Sequence, residues 1–208
     1  MRVVILGATG GTGIELIKQS LAAGHAVTAF IRKPEPLREF YGRIDLRTGD
    51  LLHQETMTRV LEGHDAVLSG FGPRVPIAKS DEHLLRDFAT VLTGAMQQSG
   101  VRRAVLISTA FLFKDSVFPP TYLVGRMLFP AVVKDSAELE SIVQSSGLDW
   151  TIVRPPQLTD RPRTGRYRER IGHLPRFGFK ISRADVADYF VKALPKESLI
   201  QTIVGISN

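Results

Sequence analysis

The sequence predicts an α/β protein: a doubly wound parallel sheet between two layers of helices, a three-layer α/β/α arrangement. Three observations predict it. Short apolar, β-branched runs alternate with longer amphipathic stretches as far as Ile107. Such alternation places helices on both faces of a parallel sheet. A glycine-rich turn, Gly7 to Gly13 (GATGGTG), follows the first apolar run at once. Candidate ligand-facing residues then fall just after successive strands, at the edge where open sheets of this class bind ligands.

Arg2–Leu6 (RVVIL) is expected as the first strand. Gly7 turns the chain off its end. Gly10 removes a Cβ where a ligand approaches the backbone, and Gly13 lets the next helix pack close on the sheet. That helix is expected over about Thr12–Ala23, with Ile14, Ile17 and Leu21 at helical spacing and Gly24 just past its end. Its free N–H groups and positive dipole end suit a phosphate. Strand, turn and helix start are together the context in which Gly7, Thr9, Gly10, Gly11, Thr12 and Gly13 bind a dinucleotide. The spacing is GxxGxxG, not the GxGxxG of the common dehydrogenases. Glycine turns after strands also occur without ligands.

Ala26–Ile31 reads as the second strand, with Arg32-Lys33 at its end. An acid at this point accepts from both ribose hydroxyls and selects NAD(H). A cation pairs with a 2′-phosphate instead, so NADP(H) is favoured over NAD(H). The alternative is that Arg32 is a solvated strand-end charge. Pro34–Arg43 reads as a polar, proline-bearing connection with room for a short helical turn, and Ile44–Arg47 as the third strand. In Gly49-Asp50-Leu51, Asp50 is placed to accept from the adenine amine, to N-cap a helix Leu52–Leu61, or both. Ala66–Ser69 is the fourth strand. Gly70-Phe71-Gly72-Pro73 makes a second glycine turn, placed to pass over the middle of the dinucleotide. Asp81–Ser99 is a long helix whose apolar stripe is core, stopped by Gly100. Arg103–Ile107 is the fifth strand and ends in Ser108-Thr109-Ala110.

Phe111–Pro130 is aromatic and proline-rich, with no regular element expected. Two readings stay open: a substrate wall built from Phe111, Phe113, Phe118, Tyr122 and Phe129, or the same aromatics packed on the sheet edge. A helix Ala131–Ser146, a stop at Gly147 and a sixth strand Asp149–Val153 follow. Arg154-Pro155-Pro156 makes a rigid extended exit that sets Pro155 against a nicotinamide. Between Arg161 and Arg183 stand Arg161, Arg163, Arg166, Arg168, Arg170, Arg176, Lys180 and Arg183 against one acid, Glu169. This is a solvated loop or hairpin, or a site for an anionic substrate such as a flavin phosphate or a propionate. Nucleic acid ranks third, because no binding motif accompanies the charge. A final helix Asp185–Leu194, capped near Ser182, and an edge strand Leu199–Val204 complete the chain.

Residues 1–208 are expected to form one domain, a length at which the core can be sizeable. No run is long enough to span a bilayer, and no signal peptide is visible before the first strand. The chain has no cysteine, which excludes disulfides, thiolate catalysis and cysteine-bound metal, and fits a reducing cytoplasm. The net charge of +6 describes either a soluble basic surface or attraction to a polyanion. The five histidines are scattered without ligand spacing, so no metal site is expected.

The residues now assembled resemble a known family. Gly7–Gly13, Arg32 after the second strand, Gly49-Asp50 and Ser108-Thr109-Ala110-Phe111 look like the atypical short-chain dehydrogenase/reductases of the NmrA-like type. The run Ser146–Pro156 (SGLDWTIVRPP) is similar to that group's SGLxxTIVRP pattern. Ser108–Asp115 (STAFLFKD), followed by Pro119-Pro120, and Lys180–Phe190 (KISRADVADYF) look most like the flavin reductase/biliverdin reductase B type. The resemblance covers nearly the whole chain. It implies a Rossmann-type domain, NADP(H) at the matched positions and hydride transfer from NADPH to a flavin, FMN or FAD, or to a tetrapyrrole-like acceptor. One departure matters. Typical members use a YxxxK pair, but Lys134 stands four residues after Pro130, and Tyr122 is followed four residues on by Arg126. That argues against carbonyl reduction by the usual tyrosine route. Flavin reduction needs positioning more than a strong acid. Ser108 or Thr109 is expected to hydrogen-bond the nicotinamide amide or the acceptor. Lys134 holds a ribose hydroxyl or is only an exposed helix start, and solvent or His173 supplies the proton.

The leading expectation is therefore an NADPH-dependent reductase of flavins or related planar acceptors. The alternative is a non-catalytic NADP(H)-sensing regulator, which the missing tyrosine favours. A polyanion-binding module and a nucleotide-using isomerase or dehydratase rank below. The expected partner is a small-molecule acceptor, with neither membrane nor nucleic acid, and monomer and homodimer both stay open.

Overall fold

The computed structural model describes residues 1–72, 83–116 and 120–208. Its centre is an eight-stranded sheet. The strands are β1 (Arg2–Leu6), β2 (Ala26–Ile31), β3 (Asp45–Thr48), β4 (Ala66–Ser69), β5 (Arg103–Ile107), β6 (Asp149–Arg154), β8 (Arg168–Ile171) and β10 (Thr202–Ser207). Their spatial order is β3-β2-β1-β4-β5-β6-β10-β8. All neighbours are parallel except β8, which runs antiparallel to β10. The order reverses between β1 and β4, and that switch point is where doubly wound sheets open a crevice for ligands. Two further strands, β7 (Gln157–Thr159) and β9 (Lys180–Ser182), pair in parallel apart from the main sheet.

The inner strands are largely apolar because both faces are covered, whereas β3 (DLRT) and β8 (RERI) at the two edges are mostly polar and exposed. In β1, Val3 and Ile5 enter one core, while Val4 and Leu6 enter the other. Helices α1 (Gly11–Ala22) and α6 (Arg183–Ala193) close the first core. Helices α2 (Gln54–Leu61), α3 (Leu84–Ser99) and α5 (Pro130–Ser145) close the second. No helix among the described residues is long and apolar enough to cross a membrane.

Several expected elements need correction. Asp50 does not cap α2. Its Oδ1 accepts from the Leu52 N–H at 3.0 Å and closes a local turn. The cap is His53, whose Nδ1 accepts from the Thr56 N–H, so the helix begins two residues later than expected. The connection after β2 does carry the short helical turn the sequence left room for, a 3-10 stretch over Glu35–Phe40 kinked at Leu37, and the burial of Leu37 and Phe40 makes it less polar than expected. Burying such a side chain contributes about 1.5–3 kcal/mol, enough to offset ordering about one backbone residue. The aromatic stretch holds a 3-10 turn, Ala110–Leu112, and a two-turn helix α4 (Thr121–Leu128). Phe111 and Phe129 stack with centroids 5.6 Å apart, and Phe113 is buried. Of the predicted wall, Phe118 lies outside the described residues, as do Pro73 and the start of the long helix at Asp81. The last strand is not an edge. β10 lies between β6 and β8, and the edge is β8, drawn from the basic segment. Its four residues RERI are all exposed, so no apolar alternation marked them, and their charge protects the edge from pairing.

Two helix ends are held from a distance. The buried Asp135 of α5 accepts from the Leu85 and Arg86 N–H groups at 2.8 and 3.0 Å, so it caps the first turn of α3 across the helix interface. Arg103, at the start of β5, donates to the Ala193 and Leu194 carbonyls at the end of α6. Burial lowers the Arg103 pKa from its ordinary value. Asp135→Ala strands two N–H donors, each worth about 1–3 kcal/mol when buried and unmet. A urea titration is expected to show a loss of about 2 kcal/mol or more, and an unchanged midpoint would contradict this role for the cap.

Candidate functional site

The register brings the expected residues to one edge. Leu6 stands level with Phe30 of β2 and with Ser69 of β4. Ser69 is level with Leu106, and Ile107 with Val153. The residues that leave these strands, Gly7, Arg32, Gly70, Ser108 and Pro155, therefore emerge side by side at the carboxyl edge of the sheet.

The glycine turn forms because its own backbone is crowded. Gly7 adopts φ +69°, and a Cβ on it would lie 2.7 Å from the Phe71 backbone. The turns after β1 and β4 thus touch. At Gly13 a Cβ would lie 2.1 Å from the Gly7 carbonyl oxygen. At Gly10 the protein sets only a mild limit, the Gly7 oxygen at 3.3 Å, and Gly10 and Gly11 are exposed. Helix α1 has no side-chain cap and no acid in its first turn, and the Ile14 N–H bonds back to Gly10. The N–H groups of Gly11, Thr12 and Gly13 thus precede the first intrahelical bond and point past the strand end. This is a cradle for an anion. Thr9 is half-buried beside it and Thr12 is buried. The Arg183 stem crosses Gly11, where a Cβ would meet it at 2.7 Å, and its guanidinium pairs with Asp160 at 2.6 Å.

Around this cradle, Arg32 is exposed and makes no hydrogen bond or ion pair among the described residues. Asp50 is exposed near the end of β3, with one carboxylate oxygen committed to its turn, and Leu51 packs against the second core. The Phe71 ring rests on Phe88, centroids 4.6 Å apart, which fixes the turn Gly70–Gly72 with Gly72 exposed.

At the other end of the crevice, the exits of β5 and β6 are tied together. The Ser108 N–H donates to the Val153 carbonyl at 2.8 Å, and the Ala110 N–H to the Pro155 carbonyl at 3.0 Å. The Thr109 hydroxyl accepts from the Phe111 N–H and caps the short turn. The Ser108 hydroxyl donates to Glu140 of α5 at 2.5 Å. Glu140, 3% exposed, is gripped by Arg154 through two hydrogen bonds, at 2.9 and 2.5 Å. The Arg154 guanidinium also lies 4.8 Å from the Phe113 ring centroid. The proton of Ser108 is therefore spent on Glu140. Toward any further partner Ser108 can accept but not donate. Lys134 is exposed, and among the described residues its charged partner is Glu138, 4.0 Å away one helical turn on. His173 pairs with Asp115 on the loop after the short turn. The Arg126 guanidinium reaches the Tyr122 hydroxyl at 3.4 Å, so the Tyr-Arg spacing does make a contact on α4.

Glu140, Asp115, Asp185 and Asp188 were not expected as site residues. Each acts on groups roughly 20 to 60 positions away, so no local spacing marks it. Asp185 accepts from Thr164 and Gly165, and Asp188 from Arg163, Tyr167 and Lys192. Together these two carboxylates pin the basic segment to α6. Among the described residues, no group of acids and histidines is arranged to hold a metal.

Fold and crevice together define an NAD(P)-binding Rossmann-type fold, of the kind oxidoreductases use. The chain belongs to the NAD(P)H-binding family, which it matches over residues 7–197. It is 29% identical to an uncharacterised chloroplastic protein of Arabidopsis thaliana, over 99% of this chain and 76% of that one. Among solved structures, a wide-type short-chain dehydrogenase/reductase from Veillonella parvula in complex with NADP shares the fold at TM-score 0.80 and 18% identity. The match covers all of this chain and 94% of that one. ChuY, an anaerobilin reductase from Escherichia coli O157:H7, matches at TM-score 0.81 and 20% identity, over all of this chain and 97% of that one.

Burial alone would raise the Asp188 pKa, but hydrogen bonds from Lys192, Tyr167 and Arg163 outweigh it and hold the carboxyl below its usual value. Burial and then Asp188 push the Tyr167 hydroxyl well above its usual range. A carboxyl lowered on folding stabilises the protein fully above its unfolded pKa, about 3.9, and this contribution is lost as pH falls through the folded value. Asp188→Asn is therefore expected to lower stability at pH 7 and to flatten the loss of stability below about pH 4. Urea midpoints across that range measure it, and parallel pH profiles for variant and parent would contradict it.

Proposed function

We propose that this protein is an NADPH-dependent reductase that passes a hydride to a flavin or a related planar acceptor. The observation that carries the reading is the uncapped α1 N-terminus opposite a fixed Ser108, both on the carboxyl edge of the sheet. In this reading the N–H groups of Gly11, Thr12 and Gly13 hold the dinucleotide pyrophosphate, with Gly10 leaving room for it. Gly7 and Thr9 shape the turn. Arg32, free of protein partners among the described residues, pairs with the 2′-phosphate. The second oxygen of Asp50 accepts from the adenine amine, and Leu51 flanks it. The backbone of Gly70, Phe71 and Gly72 passes over the middle of the cofactor.

NADPH, when bound, supplies the hydride, and the acceptor takes up one proton from solvent to complete a two-electron reduction. The chain's part is orientation. Glu140, held by Arg154, accepts the Ser108 hydroxyl's hydrogen bond, so the Ser108 oxygen is free to accept from the carboxamide N–H of the nicotinamide and fix the plane of the ring. Pro155, tied to Ala110, forms the rigid wall against it, and Thr109 keeps the turn beside Ser108 in place. Such positioning is worth several kcal/mol of barrier without any general acid, which agrees with the absence of a tyrosine four residues before Lys134. Lys134, exposed on α5 beside Glu138, fits the other expectation, an exposed helix start, and takes no part in the transfer. A reducing compartment such as the cytoplasm suits a chain without cysteine. The anaerobilin reductase among the structural neighbours is compatible with a planar acceptor.

The empty tyrosine position and the outward Lys134 also suit a sensor that binds NADP(H) without turnover. NADPH oxidation with and without FMN, run beside NADPH and NADH titrations, separates the two. The reductase reading predicts FMN-dependent oxidation and tighter binding of NADPH than of NADH. Arg32→Ala is expected to weaken NADPH binding by about tenfold or more while NADH binding barely changes, since a charged hydrogen bond is worth about 1.5–3 kcal/mol. Tight NADPH binding without turnover, over flavins, quinones and biliverdin, would favour the sensor. Binding of neither cofactor would remove both readings.

A further inference from the structure

The eight cations between Arg161 and Arg183 do not form one solvated surface. Three are spent on the fold. Arg163 binds Asp188, Arg183 binds Asp160, and Arg168 donates to the Arg176 and Asn208 carbonyls and the Ser207 hydroxyl. Three others, Arg161, Arg166 and Lys180, line one pocket of about 280 Å³. Their side chains make no hydrogen bond or ion pair among the described residues.

The pocket is held in shape from beneath. Asp185, fully buried, accepts from the Thr164 N–H at 2.8 Å, the Thr164 hydroxyl at 2.9 Å, the Gly165 N–H at 2.8 Å and the Asn208 amide at 3.0 Å. Gly165 turns with φ +65° to allow this. Burial alone would raise the Asp185 pKa, but hydrogen bonds from Asn208, Gly165, Thr164 and Ser182 outweigh it and hold the carboxyl ionised. Its oxygens are taken up by the loop, so they do not pair with the three cations above. The β7 and β9 pairing fixes the other wall, with Thr159 beside Ser182. Asp185 also lines the pocket, but the three cations outnumber its one charge, and the excess favours an anion that brings compensating charge. The volume holds a phosphate group with several waters, at about 30 Å³ for each water. Arg161 also lines a neighbouring cleft with Gly11, Glu15 and Arg183. The basic pocket therefore adjoins the glycine turn but is separate from it.

We propose that Arg161, Arg166 and Lys180 form a second anion subsite that binds a phosphate monoester dianion, distinct from the phosphate sites of the dinucleotide. Arg161 and Arg166 supply fork-shaped donors and Lys180 supplies a point charge, while Thr159 and Thr164 line the pocket with hydroxyls already donated to the Ile181 carbonyl and Asp185. Resting on the reductase reading, the phosphate is the one carried by the acceptor. Without that reading, it belongs to a free phosphate-bearing ligand.

The test begins with inorganic phosphate titrated calorimetrically, at low salt, into protein saturated with NADP+, so that the dinucleotide's own sites are filled. Saturable binding is expected, weakened by about tenfold or more in the double variant Arg166→Ala/Lys180→Ala and kept in Lys180→Arg. The urea midpoint of the double variant checks that it is folded. The second arm compares FMN with riboflavin, which lacks the phosphate. A preference for FMN that disappears in the double variant assigns the phosphate to the acceptor. Phosphate binding that the double variant loses, without any flavin turnover, supports the subsite while the reductase reading fails. Phosphate binding that is absent, or equal in parent and folded double variant, overturns the subsite whatever the flavin result.

Discussion

The structure depends on a contact that only glycine permits. Helix α1 starts so close to the end of β1 that a Cβ on Gly13 would sit 2.1 Å from the Gly7 oxygen and 2.6 Å from the Ala8 Cα. Any side chain there pushes the helix off the sheet. With the helix seated, its first N–H groups are aimed past the strand end, and the turn after β4 closes against Gly7. The crevice follows from this packing, because its other walls hang on strands whose register is set from β1 outward.

Buried carboxylates do the remaining positioning. Asp135, Glu140, Asp185 and Asp188 are each buried, and each is spent on a distant loop or helix end. A buried charge is costly unless it is fully bonded, so each of these acids specifies one arrangement of its partners. Asp135 seats α3 against α5. Glu140 turns the Ser108 hydroxyl inward and locks Arg154 behind it. Asp185 and Asp188 fasten the basic segment to α6. The walls around the crevice are thereby held by polar contacts as well as by apolar packing.

Much of this was legible in the sequence because the signals are local. The buried runs at Arg2–Leu6, Ala26–Ile31, Ala66–Ser69 and Arg103–Ile107 were placed to the residue, and the glycine turn with Ser108 and Pro155 was assigned to one edge. The helix stops at Gly24, Gly100 and Gly147 each adopt positive φ as expected. What escaped depends on contacts between distant residues. The β8 strand reads RERI, and only its pairing with β10 makes it a strand. The α4 helix hides behind prolines and aromatics, and its outward Leu123, Met127 and Leu128 gave no inward stripe to read. Asp50 suited a helix cap by type, but His53 lies nearer the first turn and takes the role. Lys134 matched a family position, yet its amine faces Glu138 on its own helix. The pairing of Ser108 with Glu140 spans 32 residues and has no signature at that range.

The proposed function requires the uncapped start of α1 and the end of β2 to receive the phosphates of NADP(H). Backbone amide NMR during an NADP+ titration tests it most directly. Saturable shifts are expected, concentrated at Gly10, Gly11, Thr12 and Gly13, with Arg32 and Ser108 following on the same binding curve. Saturable binding that leaves the Gly10–Gly13 amides unmoved would contradict it.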